Sequence, residues 1–435
     1  MTRDPIGLAL AAMNRLAGHP LLDRFGMRRS VERLAYQGTR SGFQTLAFAN
    51  REFRRARNLL PRKRLPNRRP GDLFDLNLDD DQQMIVDSLK RFANDVMREQ
   101  AASCDELAIL PQDLQTQAQG LGLTLYAVPV EFGGVAEIQS PVTSVLIAEQ
   151  LAWGDFGMAL ALLAPFSAAQ AITQWGTAEQ QATYLPAFCE DEPPMATIAV
   201  DEPRPLFDPM ALKTRARRTD TGFTLSGLKS GVIGASEADL FLIAAELEGE
   251  GPRIFMVERG TNGLSYEHEP AMGLRAGQTV QLKLDDITLP TGAVLGDDDF
   301  NYSTFIDRGS LLRCALAVGC AQAVLDYVIP YVNEREAFGE PISHRQSVAF
   351  MISNMAIEIE SMRLMTWRAA SRAETGKDFH RETSLARLLC NEKAMEVGTH
   401  GVQLLGGHGF VKEHPVERWY RDLRSTATHF GGTYA

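Results

Sequence analysis

The chain has 435 residues, of which 45% are apolar and 23% charged, a length that corresponds to roughly two to three globular domains. This composition excludes intrinsic disorder, collagen-like repeats and disulfide-rich scaffolds. The five cysteines lie far apart and form no Cys-x-x-Cys pair, which argues against a zinc site and favours a reducing, cytoplasmic compartment.

The net charge of −11 is spread unevenly along the chain. Residues 1–70 hold 16 of the 44 Lys and Arg but only 4 of the 55 Asp and Glu, so a basic extension of net charge +12 precedes an acidic body of net charge −23. We expect this extension to lie on the acidic body or on a partner subunit. An anionic membrane surface is the alternative, because apolar residues are scattered among the arginines. No nucleic acid is expected, since no aromatic residues alternate with the charges.

Between Asp79 and about Gln174 the apolar residues recur at spacings of three and four, which predicts a helical block. Within it, Leu125–Gly134 (LYAVPVEFGG) combines a proline with paired glycines and predicts a loop. The apolar run Phe156–Ile172 contains a proline and is shorter than the ~20 residues that span a bilayer. We therefore interpret it as a buried core helix.

From about Met195 to Gly296, short apolar runs are separated by Gly, Pro and Asp clusters, which predicts a compact antiparallel β domain. Helical periodicity then returns at Leu311–Tyr331, Gln346–Glu374 and Glu382–Leu405, as in a helical bundle. The predicted fold class is α+β, with a basic N-terminal extension (1–70), an N-terminal helical domain (71–194), a middle antiparallel β domain (195–299) and a C-terminal four-helix bundle (300–435).

Several familiar catalytic motifs are absent from the sequence. It contains no His-Glu-x-x-His, no Gly-x-Ser-x-Gly, no P-loop and no Gly-x-Gly-x-x-Gly after a strand. These absences argue against a metalloprotease, a serine hydrolase, a kinase and a Rossmann dinucleotide domain. No metal ligand set is predicted.

Three stretches resemble segments of one known family. Val328–Ile342 (VIPYVNEREAFGEPI), followed by Gln346, is similar to its Arg-x-x-Phe-Gly segment and to the Gln eleven residues beyond that Arg. Gln403–Arg424 (QLLGGHGFVKEHPVERWYRDLR) matches its Gln-x-x-Gly-Gly-x-Gly-aromatic, Glu-x-Pro and Arg-Asp pattern. VPVEFGG, the segment around Glu149 and WGTAEQQATYLPAF extend the resemblance over roughly residues 72–433. The family is that of the acyl-CoA dehydrogenases.

The resemblance implies a flavoprotein that dehydrogenates an acyl thioester between its α- and β-carbons. A glutamate would take the α proton, and FAD would accept the β hydrogen as hydride. The acyl carrier is coenzyme A or an acyl-carrier protein, and an electron-transfer flavoprotein is the usual electron acceptor. The family also implies a homodimer or tetramer, or a hetero-oligomer with a second family subunit.

The resemblance also assigns cofactor-binding residues in the C-terminal part of the chain. Arg335 would contact the FAD pyrophosphate and Phe338 would lie by the adenine end. In the family these groups reach mostly into the FAD of the neighbouring subunit, which lies between the β domain and the C-terminal helices. The remaining members of this predicted site are Gln346, Gln403, Gly406 and Gly407.

The half of the site that would hold the flavin ring departs from the family. The family's Thr-Glu-Pro-x-Ala-Gly-Ser-Asp stretch corresponds to residues 201–208, where Asp201 and Phe207 replace the hydroxyl residues. In the Lys-x-Trp-Ile-Thr stretch counted from Lys229, Gly231 replaces the tryptophan that covers the flavin and Ile233 replaces the threonine. The usual hydroxyl and stacking contacts are therefore not expected here.

The family's catalytic glutamate is also replaced, so the catalytic residue is unknown. Its position falls on Phe430 or Gly431, depending on which neighbouring motif anchors the count. Some members carry the base on the first helix after the β domain, at the position of Gly309. Asp307 is the nearest carboxylate and is considered as a substitute base.

Three hypotheses follow. The first is an active FAD-dependent acyl-CoA dehydrogenase. The second is a catalytically silent member that completes the FAD site of a partner subunit, because groups reaching into a neighbour's cofactor are retained while those serving the chain's own flavin ring are lost. The third is a membrane-peripheral or scaffold protein that uses residues 1–70.

Overall fold

The computed structural model describes Phe74, residues 76–137 and residues 139–428. The predicted basic extension over residues 1–70 lies outside the described residues. The described residues belong to one compact unit that begins at Phe74. Its N-terminal helices are α1 (Asp80–Phe92), α2 (Arg98–Leu107), α3 (Gln112–Gln119), α4 (Pro141–Gly154), α5 (Phe156–Trp175) and α6 (Ala178–Tyr184).

Helix α5 is the core helix that the apolar run at Phe156–Ile172 predicts. Asp155 caps it by accepting a hydrogen bond from the backbone N–H of Met158 at 3.0 Å. Its composition and length would allow it to cross a bilayer, as would those of the later helix at Tyr302–Glu334, but most of each apolar stretch is buried inside the fold. The interpretation of this run as a buried core helix is confirmed.

The middle of the chain forms a seven-stranded sheet. Its order is β1-β4-β2-β3-β7-β6, with β5 paired to the other edge of β4. The strands are β1 (Ala196–Ala199), β2 (Arg215–Thr219), β3 (Gly222–Val232), β4 (Leu240–Leu247), β5 (Gly251–Glu258), β6 (Leu264–His268) and β7 (Val280–Pro290).

The sheet is mixed, which corrects the prediction of an antiparallel β domain. Strands β1 and β2 both run parallel to β4, with Ala196 opposite Leu240 and Arg215 opposite Glu246, whereas the other pairs are antiparallel. The alternation of apolar residues did not reveal this, because it reports which face of a strand is buried and not the direction of its neighbours.

Strands β1 and β2 share one edge of β4, and this arrangement creates a loop. The residues between them, 200–214, must leave the sheet after β1 and return to the same edge at β2. This segment, called the 200–214 loop below, contains the positions at which the sequence departs from the family's hydroxyl residues.

The C-terminal part is helical, as predicted. It consists of α7 (Tyr302–Glu334), α8 (Gln346–Glu374), α9 (His380–Leu405) and α10 (Val416–Ser425), with a short hairpin of β8 (Glu336–Ala337) and β9 (Glu340–Pro341) between α7 and α8. The bounds of α8 are those predicted. The predicted start of α7 at Leu311 is wrong, because the helix begins at Tyr302, where the Asn301 side chain accepts a hydrogen bond from the Thr304 N–H at 2.9 Å.

Candidate active site

A cavity of about 940 Å³ opens between the sheet and the C-terminal helices, and we call it the large cavity. The 200–214 loop, the end of β3 and residues 269–274 line one side of it. Helix α9 and residues 421–428 line the other side. Its volume lies at the upper end of the range of small-molecule sites, and its place in the fold is the one where the resemblance implies the flavin.

Two motif residues that the chain retains, Glu202 and Lys229, form a buried ion pair beside the large cavity. The Lys229 side chain is fully buried, and its Nζ lies 3.2 Å from Glu202 Oε1 and 2.9 Å from the Val200 carbonyl oxygen. Glu202 also accepts hydrogen bonds from the backbone N–H groups of Lys213 and Thr214, each at 2.8 Å. The pair therefore ties both ends of the 200–214 loop to β3.

The ionisation of this pair reflects its burial. Burial lowers the pKa of Lys229 to about 8, although the neighbouring Glu202 carboxylate opposes the change. Burial alone would raise the pKa of Glu202, but Lys229 and the backbone N–H groups outweigh it and lower that pKa below its ordinary value. Both partners are charged at neutral pH, which suits a structural role.

Where hydroxyl and indole groups are expected from the family, the wall of the large cavity carries a phenyl ring and a carboxylate. Phe207 is buried, and the guanidinium carbon of Arg204 lies 5.2 Å from its ring centroid. Glu269 accepts hydrogen bonds from the Ser230 Oγ and from the Gly231 N–H, both at 2.6 Å. The wall beside Gly231 therefore presents a carboxylate.

Of the remaining substituted positions, Asp201 lines the large cavity and Ile233 does not. Asp201 lines the large cavity, and its backbone carbonyl accepts a hydrogen bond from the Ser230 N–H at 3.0 Å. Ile233 is buried and is not among the residues that line the cavity, and its carbonyl oxygen accepts a hydrogen bond from the Thr197 Oγ1 at 2.7 Å. The loss of the threonine hydroxyl at residue 233 is therefore a change inside the core.

The Arg-Asp motif holds the far wall of the large cavity in place. Arg421 pairs with Asp105 at 2.7 Å and with Glu417 at 2.8 Å. Asp422 is buried and accepts a hydrogen bond from the Leu274 N–H at 2.6 Å. Burial, reinforced by the negative charge of a neighbouring aspartate, raises the pKa of Asp422 to about 8. The motif fastens α10 to α2 and to the segment that leads into β7.

A second cavity, of about 600 Å³, lies between the end of α7, the start of α8 and the end of α9. It brings together five of the six predicted cofactor-binding residues, namely Arg335, Phe338, Gln403, Gly406 and Gly407. Gln346 is the exception, because the lining at the start of α8 comes from its neighbours Arg345 and Ser347.

The second cavity has the open polar and aromatic surfaces that a dinucleotide needs. An added Cβ at Gly406 or Gly407 would have no heavy atom within 4 Å, so the backbone there is open to a ligand. The exposed Arg335 guanidinium has no hydrogen bond or ion pair within the described part of the chain. Phe338 is 97% exposed and adopts a φ of +56°, a left-handed conformation that is uncommon for a residue other than glycine. These residues fit the adenine and pyrophosphate end of FAD.

Sequence reasoning missed a tyrosine and histidine cluster beside the second cavity. Tyr331 and His408 line that cavity, with the Tyr331 hydroxyl 2.9 Å from His408 Nδ1. The Tyr327 hydroxyl lies 2.7 Å from His414 Nδ1, and the two histidine rings stack with centroids 5.3 Å apart. Each histidine lies inside a family motif that is defined by other residues, the glycines or Glu-x-Pro. The sequence signal for the cluster is the spacing of the two tyrosines, which are four residues apart and so share one face of α7.

The candidate base positions give no carboxylate to the large cavity. Phe430 and Gly431 lie outside the described residues, and Gly309 lines a separate small cavity. Asp307 is paired with His380, whose Nδ1 lies 2.8 Å from its Oδ2, and it does not line the large cavity. Burial raises the pKa of Asp307, and the hydrogen bond with His380 partly offsets this. The geometry therefore does not favour Asp307 as a substitute base.

Sequence models of the acyl-CoA dehydrogenase N-terminal, middle and C-terminal domains match residues 79–192, 197–287 and 302–434. The chain belongs to the acyl-CoA dehydrogenase family. Among its relatives, the cyclohex-1-ene-1-carbonyl-CoA dehydrogenase of Geobacter metallireducens is 31% identical over 364 residues, which cover 82% of this chain and 95% of that protein.

Solved structures of family members share the same fold. Butyryl-CoA dehydrogenase from Megasphaera elsdenii aligns with a TM-score of 0.76 and 29% identity, covering 83% of this chain and 97% of that one. The FAD complex of PigA aligns with a TM-score of 0.75 and 26% identity, covering 83% and 96%. The structural neighbours of this chain therefore include a protein solved with bound FAD.

Proposed function

We propose that this chain is a FAD-dependent acyl-CoA dehydrogenase that converts an acyl thioester to its 2-enoyl thioester. The observation that carries the proposal is the second cavity, where Arg335, Phe338, Gln403 and the open Gly406–Gly407 backbone converge as the family requires. When bound, FAD supplies the hydride acceptor for the β-carbon.

The residues of the chain divide the binding of the cofactor between two sites. Arg335 offers an unpaired guanidinium to a pyrophosphate, and Phe338 offers an aromatic face to an adenine. The large cavity has space for the flavin ring, with Gly231 on its wall where no side chain obstructs it. In this arrangement the second cavity serves a neighbouring subunit, and the large cavity serves the chain's own cofactor.

No carboxylate occupies the positions at which the family carries the acceptor of the α proton. Glu269 is the carboxylate most firmly placed on the wall of the large cavity, but it accepts hydrogen bonds from Ser230, Gly231 and the Gln281 amide. Three such donors hold this carboxylate against the wall of the cavity. The base is then another group that lines the cavity, a residue beyond 428 or a group of a second subunit.

A second candidate function follows from this wall. With Phe207 and Glu269 on the wall of the large cavity, the second candidate is a silent partner of a hetero-oligomer that contributes its second cavity to the FAD of a catalytic subunit. We propose coenzyme A or an acyl-carrier protein as the thioester carrier and an electron-transfer flavoprotein as the electron acceptor. The cytoplasmic location, and the contact of residues 1–70 with a membrane surface, stay predictions.

The visible spectrum of the purified full chain separates the two candidates. FAD near one per chain that bleaches with acyl-CoA thioesters supports the active enzyme. A colourless protein that gains no flavin, or a flavin that no thioester bleaches, supports the silent subunit.

A matched pair of variants tests the second cavity in the same preparation. Arg335→Gln should lower the FAD content, because it removes the charge opposite the pyrophosphate. Arg381→Gln alters a 77% exposed side chain outside both cavities and should leave the FAD content unchanged. Equal flavin content in both variants would contradict the assignment of Arg335.

A further inference from the structure

A small cavity of about 70 Å³ lies between α4, α5 and the beginning of α7, apart from the two cavities already described. Its wall is largely apolar, with Val145, Trp175 and Phe305 among its lining residues. Arg308 is the charged side chain that lines it, and no acidic residue of the described chain does. The cavity therefore presents one positive charge in apolar surroundings.

Arg308 has no counter-charge in the described part of the chain. Its Nε is fully enclosed without a hydrogen-bond partner, and its guanidinium makes no ion pair with any described residue. The guanidinium carbon lies 5.9 Å from the centroid of the Trp175 ring. The adjacent Asp307 is engaged with His380 on another side of α7. Burial lowers the pKa of Arg308, with no charge opposing it.

A partly buried guanidinium without a counter-charge is costly, because a buried charge that has lost its partner is left uncompensated. Such a group is well suited to a ligand that brings the missing negative charge. Its planar fork matches a carboxylate, which it can bind through two parallel hydrogen bonds. A phosphate dianion would need more donors than this apolar cavity provides.

The polar groups opposite Arg308 are already fixed. The Gln139 amide nitrogen donates to the carbonyl oxygens of Ala127 at 3.2 Å and Gln170 at 3.3 Å, which sets the orientation of the amide. Its Oε1 is enclosed and accepts nothing in the described structure, so it is suited to a bridging water. The lining thus leaves the Arg308 guanidinium as the donor for an anionic ligand.

The size of the cavity limits the ligand. A water needs about 10–15 Å³ on this measure, so 70 Å³ holds roughly five water-sized groups. That is room for a carboxylate and two or three carbons. Gly309 lines the same cavity, and a base at that position must lie within reach of the α proton it removes. In family members that carry the base at the position of Gly309, the acyl chain would therefore start near this cavity.

We propose that the acyl group carries a second carboxylate, which Arg308 binds in this cavity, so that the substrate is the monothioester of a short dicarboxylic acid. This inference rests on the proposed dehydrogenation and adds the class of its substrate. Arg308 would hold the far end of the acyl chain and would take no part in the proton transfer.

Calorimetric binding to the full chain, saturated with FAD that has been reduced beforehand, tests this without turnover. The probes are the coenzyme A monothioester of glutaric acid and pentanoyl-CoA, which have acyl groups of five carbons and differ in the terminal carboxylate. The unsubstituted chain should bind the glutaryl thioester more tightly. Arg308→Gln should weaken that binding by about 30-fold or more and leave pentanoyl-CoA unchanged. Arg308→Lys keeps the charge but not the planar guanidinium, so its affinity for the glutaryl thioester should lie between those of the unsubstituted chain and Arg308→Gln. Arg381→Gln is the matched control.

The outcomes distinguish this inference from the function on which it rests. If both thioesters bind equally well and Arg308→Gln changes neither, the dicarboxylate inference is overturned while the dehydrogenase function stands. If neither thioester binds, the proposed function fails and the inference fails with it.

A ligand-free measurement adds an independent check. Without ligand, Arg308→Gln should unfold at an equal or higher urea concentration, because it removes a partly buried charge that has no counter-charge. A clearly lower midpoint would show that the guanidinium has a structural partner, and would overturn the proposal.

Discussion

Among the single residues, the ion pair of Glu202 and Lys229 shows why some motif positions persist while others change. Both side chains point away from solvent, and the pair joins the 200–214 loop to β3. The substituted positions Phe207 and Gly231 instead face the large cavity. In this half of the site, a pair that holds the fold together is therefore retained, while two positions that line the large cavity are exchanged.

Glu202→Gln should destabilise the protein by about 3–5 kcal/mol, because it leaves Lys229 buried without a counter-charge. Urea unfolding followed by tryptophan fluorescence measures the change. Glu248→Gln is the matched control, since Glu248 pairs with Arg217 on the exposed side of β2 and its loss should have no measurable effect. Equal midpoints for the two variants would contradict the structural role of the buried pair.

Asp422 gives the protein a stability that depends on pH. Its folded-state pKa is raised to about 8, above the ordinary value of about 3.9 in an unfolded chain. Between these values the folded state holds more protons than the unfolded state, so this group's contribution is complete below about pH 4 and is lost as the pH rises toward 8.

Asp422→Asn should therefore flatten the decline of unfolding free energy between pH 4 and pH 8, by an amount on the order of a few kcal/mol across the range. Urea unfolding of both proteins at several pH values measures the difference in slope, and groups common to both cancel. Parallel curves would mean that Asp422 is ionised in the folded protein.

At the level of the elements, α4 and α7 cross at a single glycine. An added Cβ at Gly319 would lie 2.0 Å from the carbonyl oxygen of Glu149, which is part of a helix backbone and has little freedom to move. Gly319→Ala should therefore cost about 1–3 kcal/mol, toward the upper end. Gly292→Ala is the control, because an added Cβ there meets no heavy atom within 4 Å. A melting temperature for Gly319→Ala equal to that of the control would show that the two helices separate easily.

The order and type of these elements were predictable from the sequence, because apolar spacing reports buried faces. The bounds of α8 were predicted correctly. The start of α7 at Tyr302 was not predicted, because the cap at Asn301 was not recognised in the sequence. The parallel pairing of β1 and β2 with β4 was not predictable from alternation. The cofactor residues near Arg335 were found through a resemblance, while the unpaired Arg308 was not, because a missing partner is visible only in three dimensions.

For the whole molecule, the outer face of α8 bears apolar side chains at seven-residue intervals. Phe350, Ile357 and Leu364 are 59%, 62% and 41% exposed, and Leu388 of α9 is 43% exposed. A row of this kind on the same helical bundle as the second cavity is typical of an association surface. It suits a protein whose second cavity is expected to serve a neighbouring subunit.

Ile357→Glu should shift the protein toward the monomer, because it places a charge in this apolar row. Sedimentation velocity over a range of concentrations measures the association. Leu107→Glu is the matched control, since Leu107 is also 62% exposed but lies on α2 in the N-terminal helices. Monomeric behaviour of the unsubstituted chain would contradict the expectation.

The 200–214 loop has a consequence for how such a protein evolves. Both of its ends are fixed, by β1 and β2 on one edge of β4 and by the pair of Glu202 with Lys229. The stability of the sheet therefore depends on these contacts and little on the exposed residues of the loop. Lengthening a loop of this kind costs little free energy. Substitutions and insertions within it can therefore reshape the large cavity while the fold is inherited intact, which gives a lineage freedom to change its ligand before its architecture.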